Sequence, residues 1–262
     1  MRTTPRRTVA LAAIAVVTAL VVPGAQGVTA SANGADYRLS TQRLPDGRTV
    51  VARWNPCQVI TVRVNDRWAA GTSSQRSAAI KDVRTAIAKL SAATGIPVRY
   101  AGTTSQIPTN TSSSSWWNRQ GSAEIVVAWV NQSKSYARTN LLNRVGRGYA
   151  AGTGGYAYKF WRVGNAPWSG ATGRGFVVID ASQNGKFRAG FGRGETRGAL
   201  LMHELGHSVG LMHVGSTSEL MYPTMLYRSG AGYNAGDRVG LARLGVRSGC
   251  IAVPGWVWPD QS

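Results

Sequence analysis

Residues 203–213 read HELGHSVGLMH, and this stretch contains all three histidines of the 262-residue chain. His203 and His207 are four positions apart, so on a helix both imidazoles project from one face and can share one metal ion. Gly210 favours the left-handed conformation that ends a helix, and the chain can then turn back to bring His213 to a third ligand position. Three neutral imidazoles leave a fourth position open, which is the composition expected of a catalytic rather than a structural zinc site.

Glu204 follows the first histidine directly. It lies about 100° around the helix from His203, close enough to reach a water on the metal without binding the metal itself. We therefore predict that Glu204 is the general base and that a zinc-bound water is the nucleophile. Chance placement of the five specified residues of this motif is expected about 7 × 10⁻⁷ times in a chain of this composition. The alternative, three histidines packed in an apolar core, therefore has little weight.

Strand and helix patterns alternate on both sides of this motif. Apolar alternation or short apolar runs predict strands over residues 59–64, 98–101, 124–130 and 176–180, with an irregular edge strand within 146–163. Helical spacing and capping residues predict helices over 72–91, 195–209 and 237–244, and residues 103–115 are predicted to be a polar surface loop. This order predicts a layered α/β (α+β) domain with a smaller, loop-rich lower lobe.

The first 32 residues have the composition of an export signal. A basic start is followed by an apolar run over residues 9–22 and then by small residues typical of a cleavage site. That run is too short to span a bilayer core of about 30 Å, so no stable membrane anchor is predicted. We predict a secreted, extracellular protein, with a signal peptide over 1–32, a short leader or propeptide over 33–50 and one domain over 51–262.

Cys57 and Cys250 are the two cysteines of the chain. In an oxidising compartment the expected arrangement is one disulfide that joins the two ends of the domain. The alternative is a Cys57 thiolate that binds the metal in a latent form, but only about 18 residues separate the predicted signal from the predicted domain. That length is too short for a folded inhibitory prodomain, so the disulfide is favoured.

Three segments together resemble a known family. HELGHSVGLMH matches the metzincin signature H-E-x-x-H-x-x-G-x-x-H at every specified position. ELMYP at 219–223 resembles the Met-turn of the matrixins, and DRVGLARLG at 237–245 is similar to the start of the last matrixin helix. The resemblance covers about residues 195–245 and is that of a secreted bacterial matrixin-like metallopeptidase. It implies a twisted, mostly parallel five-stranded sheet, an active-site helix below it, and a cleft above a lower lobe of about 211–262.

The resemblance also implies roles for single residues. The zinc ligands would be His203, His207 and His213, with Glu204 as general base and Met221 as the apolar floor below the metal. Tyr222 and Pro223 would begin the wall of the pocket for the residue after the scissile bond, although Met225 stands where matrixins usually have tyrosine. No histidine remains for a second, structural zinc, and the few acidic residues do not cluster as a calcium site requires. One catalytic Zn²⁺ is therefore expected, and calcium is not supported.

These observations predict a monomeric zinc metalloendopeptidase that binds protein or peptide substrates extended along the edge strand. Two alternatives stay open. A zinc amidase that acts on cell-wall peptides would use the same ligands. A non-enzymatic basic protein that binds anionic polymers would explain the charge but would leave the histidine motif unexplained.

The charge of the chain favours acidic substrates. Thirty basic and eleven acidic residues give a formal net charge of +19, and about +16 remains once the three arginines of the signal are removed. Residues 125–179 contain no acidic side chain and seven basic ones, namely Lys134, Arg138, Arg144, Arg147, Lys159, Arg162 and Arg174. Because this span includes the predicted edge strand, we predict faster cleavage of peptides with Asp or Glu near the scissile bond. A solvated basic face away from the cleft is the alternative, and the scattered aromatic residues predict no specific nucleic-acid partner.

Overall fold

The computed structural model describes residues 19–21, 27–32, 35–109, 125–228, 230–255 and 257, with side chains from residue 36 onward. The strands are β1 (Ala19–Val21), β2 (Gly27–Ala32), β3 (Ala35–Arg43), β4 (Thr49–Val51), β5 (Ile60–Asn65), β6 (Val98–Thr103), β7 (Ile125–Val130), β8 (Arg144–Val145), β9 (Gly148–Tyr149), β10 (Gly152–Trp161), β11 (Ser169–Asp180) and β12 (Leu211–Met212). The helices are α1 (Ser73–Thr94), α2 (Arg197–Val209) and α3 (Ala235–Leu244), with short 3₁₀ turns at Ser135–Ala137, Ala181–Lys186 and Val246–Ser248.

The main sheet is mixed and has the strand order β1-β10-β11-β7-β5-β6. The pairs β11–β7, β7–β5 and β5–β6 are parallel, whereas β10 runs antiparallel to β11. The prediction of an α/β fold on a five-stranded sheet is confirmed for the strands from β10 to β6. The three-residue strand β1 adds a sixth strand, antiparallel to β10 at the edge.

Strand β7 is central because its side chains are buried on both faces. Val127 and Trp129 pack into the core that the helices α1 and α2 cover. Val126 and Ala128 face the opposite side, where they form a second apolar cluster with Leu141, Leu142 and Val257. The sheet therefore separates a helix-covered face from a loop-covered face.

The helices begin and end at residues whose side chains or backbone angles explain their limits. Thr72 forms a capping box with Gln75 at the start of α1, and Gly95 ends that helix with a φ of 74°. Thr196 caps α2, which begins at Arg197, two residues after the start predicted from the sequence, and Gly210 ends it with a φ of 106°. The last helix, α3, begins at Ala235, two residues before the predicted start.

The region 146–163 is more regular than the sequence suggests. After the short hairpin β8–β9, strand β10 pairs with β11 over its whole length, with one register shift between Ala157 and Tyr158. Its glycines have a packing role, because a Cβ at Gly154 would overlap the backbone carbonyl of Glu204. Glycine therefore lets β10 cross α2 at the motif helix.

The predicted leader, residues 33–50, is built into the fold. Strand β3 lies between β2 and β12 in a second sheet, and β4 also pairs with it. Tyr37 is 1% exposed and contacts α3, where a Cβ at Gly240 would lie 3.1 Å from the tyrosine Cβ. The Ser40 N–H donates to the Gly210 carbonyl at 2.8 Å, which joins β3 to the end of α2. Residues of this segment therefore belong to the core, and its proteolytic removal stays a prediction.

Two other predictions for the chain ends have different outcomes. Cys57 and Cys250 form a disulfide, as predicted, so neither thiol is free to bind a metal. Most of the predicted signal peptide lies outside the described residues, apart from β1 and β2, and so does the segment 110–124 that includes half of the predicted polar loop. Of the helices that the structure describes, none is both long and apolar enough to cross a membrane.

Candidate metal centre

The three histidines converge because of where α2 ends. His203 and His207 project from the same face of α2, one turn apart, and both are buried. Gly210 leaves the helix in a left-handed conformation, and a Cβ there would lie 2.6 Å from the carbonyl oxygen of Ala52. The chain then enters β12, whose pairing with β3 carries it directly to His213. The predicted return of the third histidine is confirmed.

The distances between the ring nitrogens fit a shared metal ion. The Nε2 atom of His213 lies 3.1 Å from Nε2 of His203 and 3.0 Å from Nε2 of His207. All three ligand atoms fall within 4.8 Å of one another, so this triad could hold a metal ion. Tetrahedral zinc with bonds of about 2.0–2.1 Å to nitrogen places neighbouring nitrogens about 3.3 Å apart. The geometry of the donor set is therefore compatible with zinc.

Backbone carbonyls fix the tautomer of two of the rings. The Nδ1–H of His203 donates to the Leu220 carbonyl at 2.8 Å, and that of His207 donates to the Leu211 carbonyl at 2.7 Å. The lone pair of Nε2 on each of these two rings then points toward His213. Histidines that bind metals commonly donate their other ring N–H to a carbonyl in this way. Two such lone pairs at about 3 Å repel each other unless a proton or a cation lies between them. The arrangement therefore favours a bound cation.

The protein environment also keeps the rings neutral. Burial, together with the nearby charge of His213, lowers the pKa of His203 to about 4. Burial, followed by the charges of the other two imidazoles, places the pKa of His207 well below its ordinary value. The pKa of His213 is lowered by burial and by the charge of Arg38. Because a metal binds only deprotonated imidazole, these shifts reduce the competition from protons at the site.

Glu204 lies on the same helix and contacts strand β10. Burial raises the pKa of its carboxyl to about 8, although a hydrogen bond from the Gly154 backbone N–H opposes this shift. A Cβ at Gly152 would lie 3.0 Å from Oε1 of Glu204, so two glycines of β10 form one wall around the carboxylate. A buried carboxyl that titrates near neutral pH is suited to accept and return a proton. The group that could hold a metal ion consists of the three histidines without Glu204, and the role of Glu204 as general base stays a prediction.

Residues 219–223, which we call the Met221 turn, contact the triad through the Leu220 carbonyl. Met221 is fully buried, and a Cβ at Gly206 would lie 2.8 Å from its sulfur, so the thioether packs against α2 at Gly206, the residue before His207. This placement agrees with an apolar floor under the metal, and it equally satisfies ordinary core packing. Tyr222 is half-buried and Pro223 is exposed, and their contact with a substrate stays a prediction.

Asp237, the first residue of the segment that resembles the matrixin helix, connects α3 to the Met221 turn. Its Oδ2 accepts the N–H of Leu220 at 2.7 Å, and its Oδ1 accepts the N–H of Met221 at 3.3 Å. Its own N–H donates to Oε2 of Glu219 at 3.0 Å. Since the Leu220 carbonyl orients His203, the carboxylate of Asp237 positions one of the three histidines that could hold a metal, through one intermediate residue.

Sequence reasoning did not assign Asp237, Gly154 or Arg38 to the site. The similarity of residues 237–245 to the matrixin helix indicated the position of Asp237 but not the direction of its carboxylate. The many glycines within 146–163 were a signal for close packing, but they did not identify Glu204 as the neighbour. Arg38 lies in the predicted leader, and no local pattern connects it with His213.

Comparison of the chain with protein-family models gives no match. Comparison with curated proteins gives none either. The chemistry of the site therefore has to be derived from its own geometry.

Proposed function

We propose that this chain is a secreted zinc-dependent endopeptidase. The observation that carries the proposal is the convergence of three imidazole Nε2 atoms, together with the buried carboxyl group of Glu204 on the helix that carries His203 and His207. A structural zinc site has four protein ligands, whereas this triad leaves one position for water or substrate. The disulfide between Cys57 and Cys250 is compatible with an extracellular location, because disulfides persist in oxidising compartments.

Each residue of the site has a distinct task in hydrolysis. His203, His207 and His213 would hold the ion through Nε2, while the carbonyls of Leu220 and Leu211 keep two rings oriented through Nδ1. A bound zinc ion lowers the pKa of a coordinated water and polarises the substrate carbonyl. Glu204 accepts a proton from the attacking water at a carboxylate oxygen and passes it to the nitrogen of the leaving amine.

Strand β10 supports an extended polypeptide as the substrate. It crosses α2 at Gly152 and Gly154, beside the carboxylate of Glu204. Its residues Tyr156–Tyr158 pair in antiparallel register with β1, so this edge accepts another strand through backbone hydrogen bonds. Because β1 belongs to the predicted signal peptide, its removal would leave these backbone groups open to a substrate.

The test is to incubate the purified secreted protein with a peptide library and to identify the cleaved bonds by mass spectrometry. We expect internal cleavage that a chelator abolishes and that added zinc restores. Casein and purified peptidoglycan, assayed in parallel, distinguish an endopeptidase from an amidase that acts on cell-wall peptides. Absence of any zinc-dependent cleavage in all three substrates would contradict the proposal.

A further inference from the structure

Strand β3 brings an arginine to the metal centre. Arg38 is the cross-strand partner of Met212, the residue directly before His213. Partners in an antiparallel pair have Cα atoms about 4.5–5.5 Å apart, so the backbone of Arg38 lies beside that of Met212, one residue along the chain from the third histidine. The positive charge of Arg38 interacts electrostatically with the His213 ring and contributes, after burial, to lowering the pKa of that imidazole.

Among the residues that the structure describes, no acidic side chain neutralises the guanidinium of Arg38. The side chain is half-buried, and its Nε atom is shielded from solvent without a hydrogen bond. A partly desolvated cation without a counter-charge is costly, so an anionic group that reaches it gains more than it would at an exposed arginine.

The backbone on both sides of Arg38 is firmly held. Oδ2 of Asp36 accepts the N–H of Ser216 at 3.1 Å, and the buried ring of Tyr37 lies under the guanidinium of Arg243. Ser40 bonds to the end of α2 through its N–H. The position of Arg38 relative to the triad is therefore set by the fold rather than by a loose chain end.

Other basic residues are less suited to meet a substrate at the triad. Arg174 pairs with Ala157 on the loop-covered face of the sheet, opposite to α2, and the ammonium of Lys159 donates to the Val257 carbonyl on that same face. Arg228 influences His203, but its two terminal nitrogens donate to the carbonyls of the residues 218 and 219. These cations are engaged by the protein, whereas Arg38 forms no ion pair within the described part of the chain.

We propose that Arg38 is a specificity-determining residue that binds a carboxylate of the substrate close to the scissile bond. The proposal rests on the proposed peptidase function, and it assigns the predicted preference for acidic peptides to Arg38 instead of the basic span 125–179. A guanidinium can bind a carboxylate through two parallel hydrogen bonds, which gives direction as well as charge. The proposal also requires that β3 remains in the mature enzyme, so that any processing occurs before residue 38.

The experiment compares two peptides that contain a cleavage site found in the library and differ only in Glu or Gln beside the scissile bond. The ratio of kcat/KM for the Glu peptide to that for the Gln peptide should be about tenfold in the wild type. Arg38→Gln should reduce this ratio to about one, and Arg38→Lys, which keeps the charge but not the planar fork, should give an intermediate ratio. Arg43→Gln is the matched control, because it removes the same charge from the same strand about 17 Å away at an exposed position.

The outcomes separate this proposal from the proposed function. If the wild type cleaves neither peptide nor any library member, the peptidase function fails and the role of Arg38 fails with it. If the wild type cleaves both peptides with a ratio of one, the role of Arg38 is wrong and the peptidase function stands. The same holds if Arg38→Gln keeps the tenfold preference for the Glu peptide. A mature N-terminus beyond residue 38, found by protein sequencing, would also overturn the role of Arg38. Zinc content and thermal melting confirm that each variant is folded, and Arg38→Lys decides the question if Arg38→Gln does not fold.

Discussion

At the scale of single residues, the two imidazoles of α2 differ in what holds them. His207 bonds to the Leu211 carbonyl four residues ahead, so its support comes from the end of its own helix. His203 bonds to Leu220 in the Met221 turn, and that turn depends on Asp237 in α3. The orientation of His203 therefore requires the lower lobe to be folded, whereas that of His207 requires only the local turn after α2.

The division of work between Glu204 and the histidines can be tested by substitution. Glu204→Gln should retain one zinc ion per chain, because Glu204 is not a ligand, and should lower kcat by about 10²–10⁴-fold because the proton acceptor is lost. His207→Ala should lose the zinc after dialysis, since two imidazoles remain. Metal analysis and peptide turnover on the same samples provide the measurement. Full activity of Glu204→Gln would show that another group accepts the proton.

Asp237 should make the stability of the protein depend on pH. Burial, opposed by its backbone hydrogen bonds, raises the pKa of Asp237 from 3.8 to about 6. The folded state then binds more protons than the unfolded state between about pH 4 and pH 6, so the free energy of unfolding falls as the pH rises through this range. Asp237→Asn should lack this contribution and be less stable at low pH by about 1–3 kcal/mol, because an amide NH₂ would face a backbone N–H.

Denaturant unfolding of both proteins at several pH values, with the metal removed by chelation, measures the difference. The stability advantage of the wild type over Asp237→Asn should decrease as the pH rises from about 4 to about 6. The same pH slope in both proteins would mean that Asp237 does not bind the additional proton. Chelation is needed because metal binding by the histidines also depends on pH.

At the scale of elements, the contact between β10 and α2 depends on glycine. Gly154→Ala should place its Cβ into the carbonyl of Glu204, so the strand has to move away from the helix. Overpacking of this kind costs about 1–3 kcal/mol of stability. The displacement also moves the N–H that holds the Glu204 carboxylate, so we expect turnover to fall more than zinc affinity does.

The matched control for this substitution is Gly192→Ala, because no atom lies within 4 Å of a Cβ at Gly192. Thermal melting, zinc content and turnover should be close to those of the wild type in the control. A Gly154→Ala protein with wild-type stability and turnover would show that β10 can shift without disturbing the site.

At the scale of the whole molecule, the disulfide closes a loop of 193 residues. Weaker bonds lie beside it, since Oδ1 of Asn55 accepts the N–H groups of Cys57 and Ile251, and Arg53 donates to the carbonyls of Ser248 and Gly249. The double substitution Cys57→Ser and Cys250→Ser should therefore lower the free energy of unfolding by about 2–5 kcal/mol, chiefly because the unfolded chain gains freedom. The fold itself should remain.

Mass mapping without reduction should find the peptides of Cys57 and Cys250 joined in the secreted protein. Denaturant unfolding then compares the wild type with the double variant. Free thiols in active protein, or an activity that rises when Cys57 is blocked, would instead support the thiolate alternative. Equal stability of the two proteins would show that the bonds of Asn55 and Arg53 close the loop by themselves.

Much of the architecture can be derived from short-range patterns in the chain. The spacing of His203 and His207 determines that both rings share a helix face, because the helical repeat is a property of neighbouring residues. Gly210 marks the end of the same helix for an equally local reason, its freedom to adopt a positive φ. The apolar run of β7 indicates a central strand, and two cysteines in a chain with a predicted export signal leave one pairing. These conclusions need no knowledge of how distant segments meet.

The tertiary structure alone decides the contacts between distant segments. It places the Asp237 carboxylate on the Met221 turn, Gly154 against Glu204, and Arg38 beside His213, and it makes a core strand of a segment whose polar, turn-rich sequence resembles a removable leader. The physical reason is that spacing along a chain constrains directions over one or two turns only. Which backbone carbonyl, glycine or cation completes a site depends on the order and register of strands, and these arise from the packing of the whole chain.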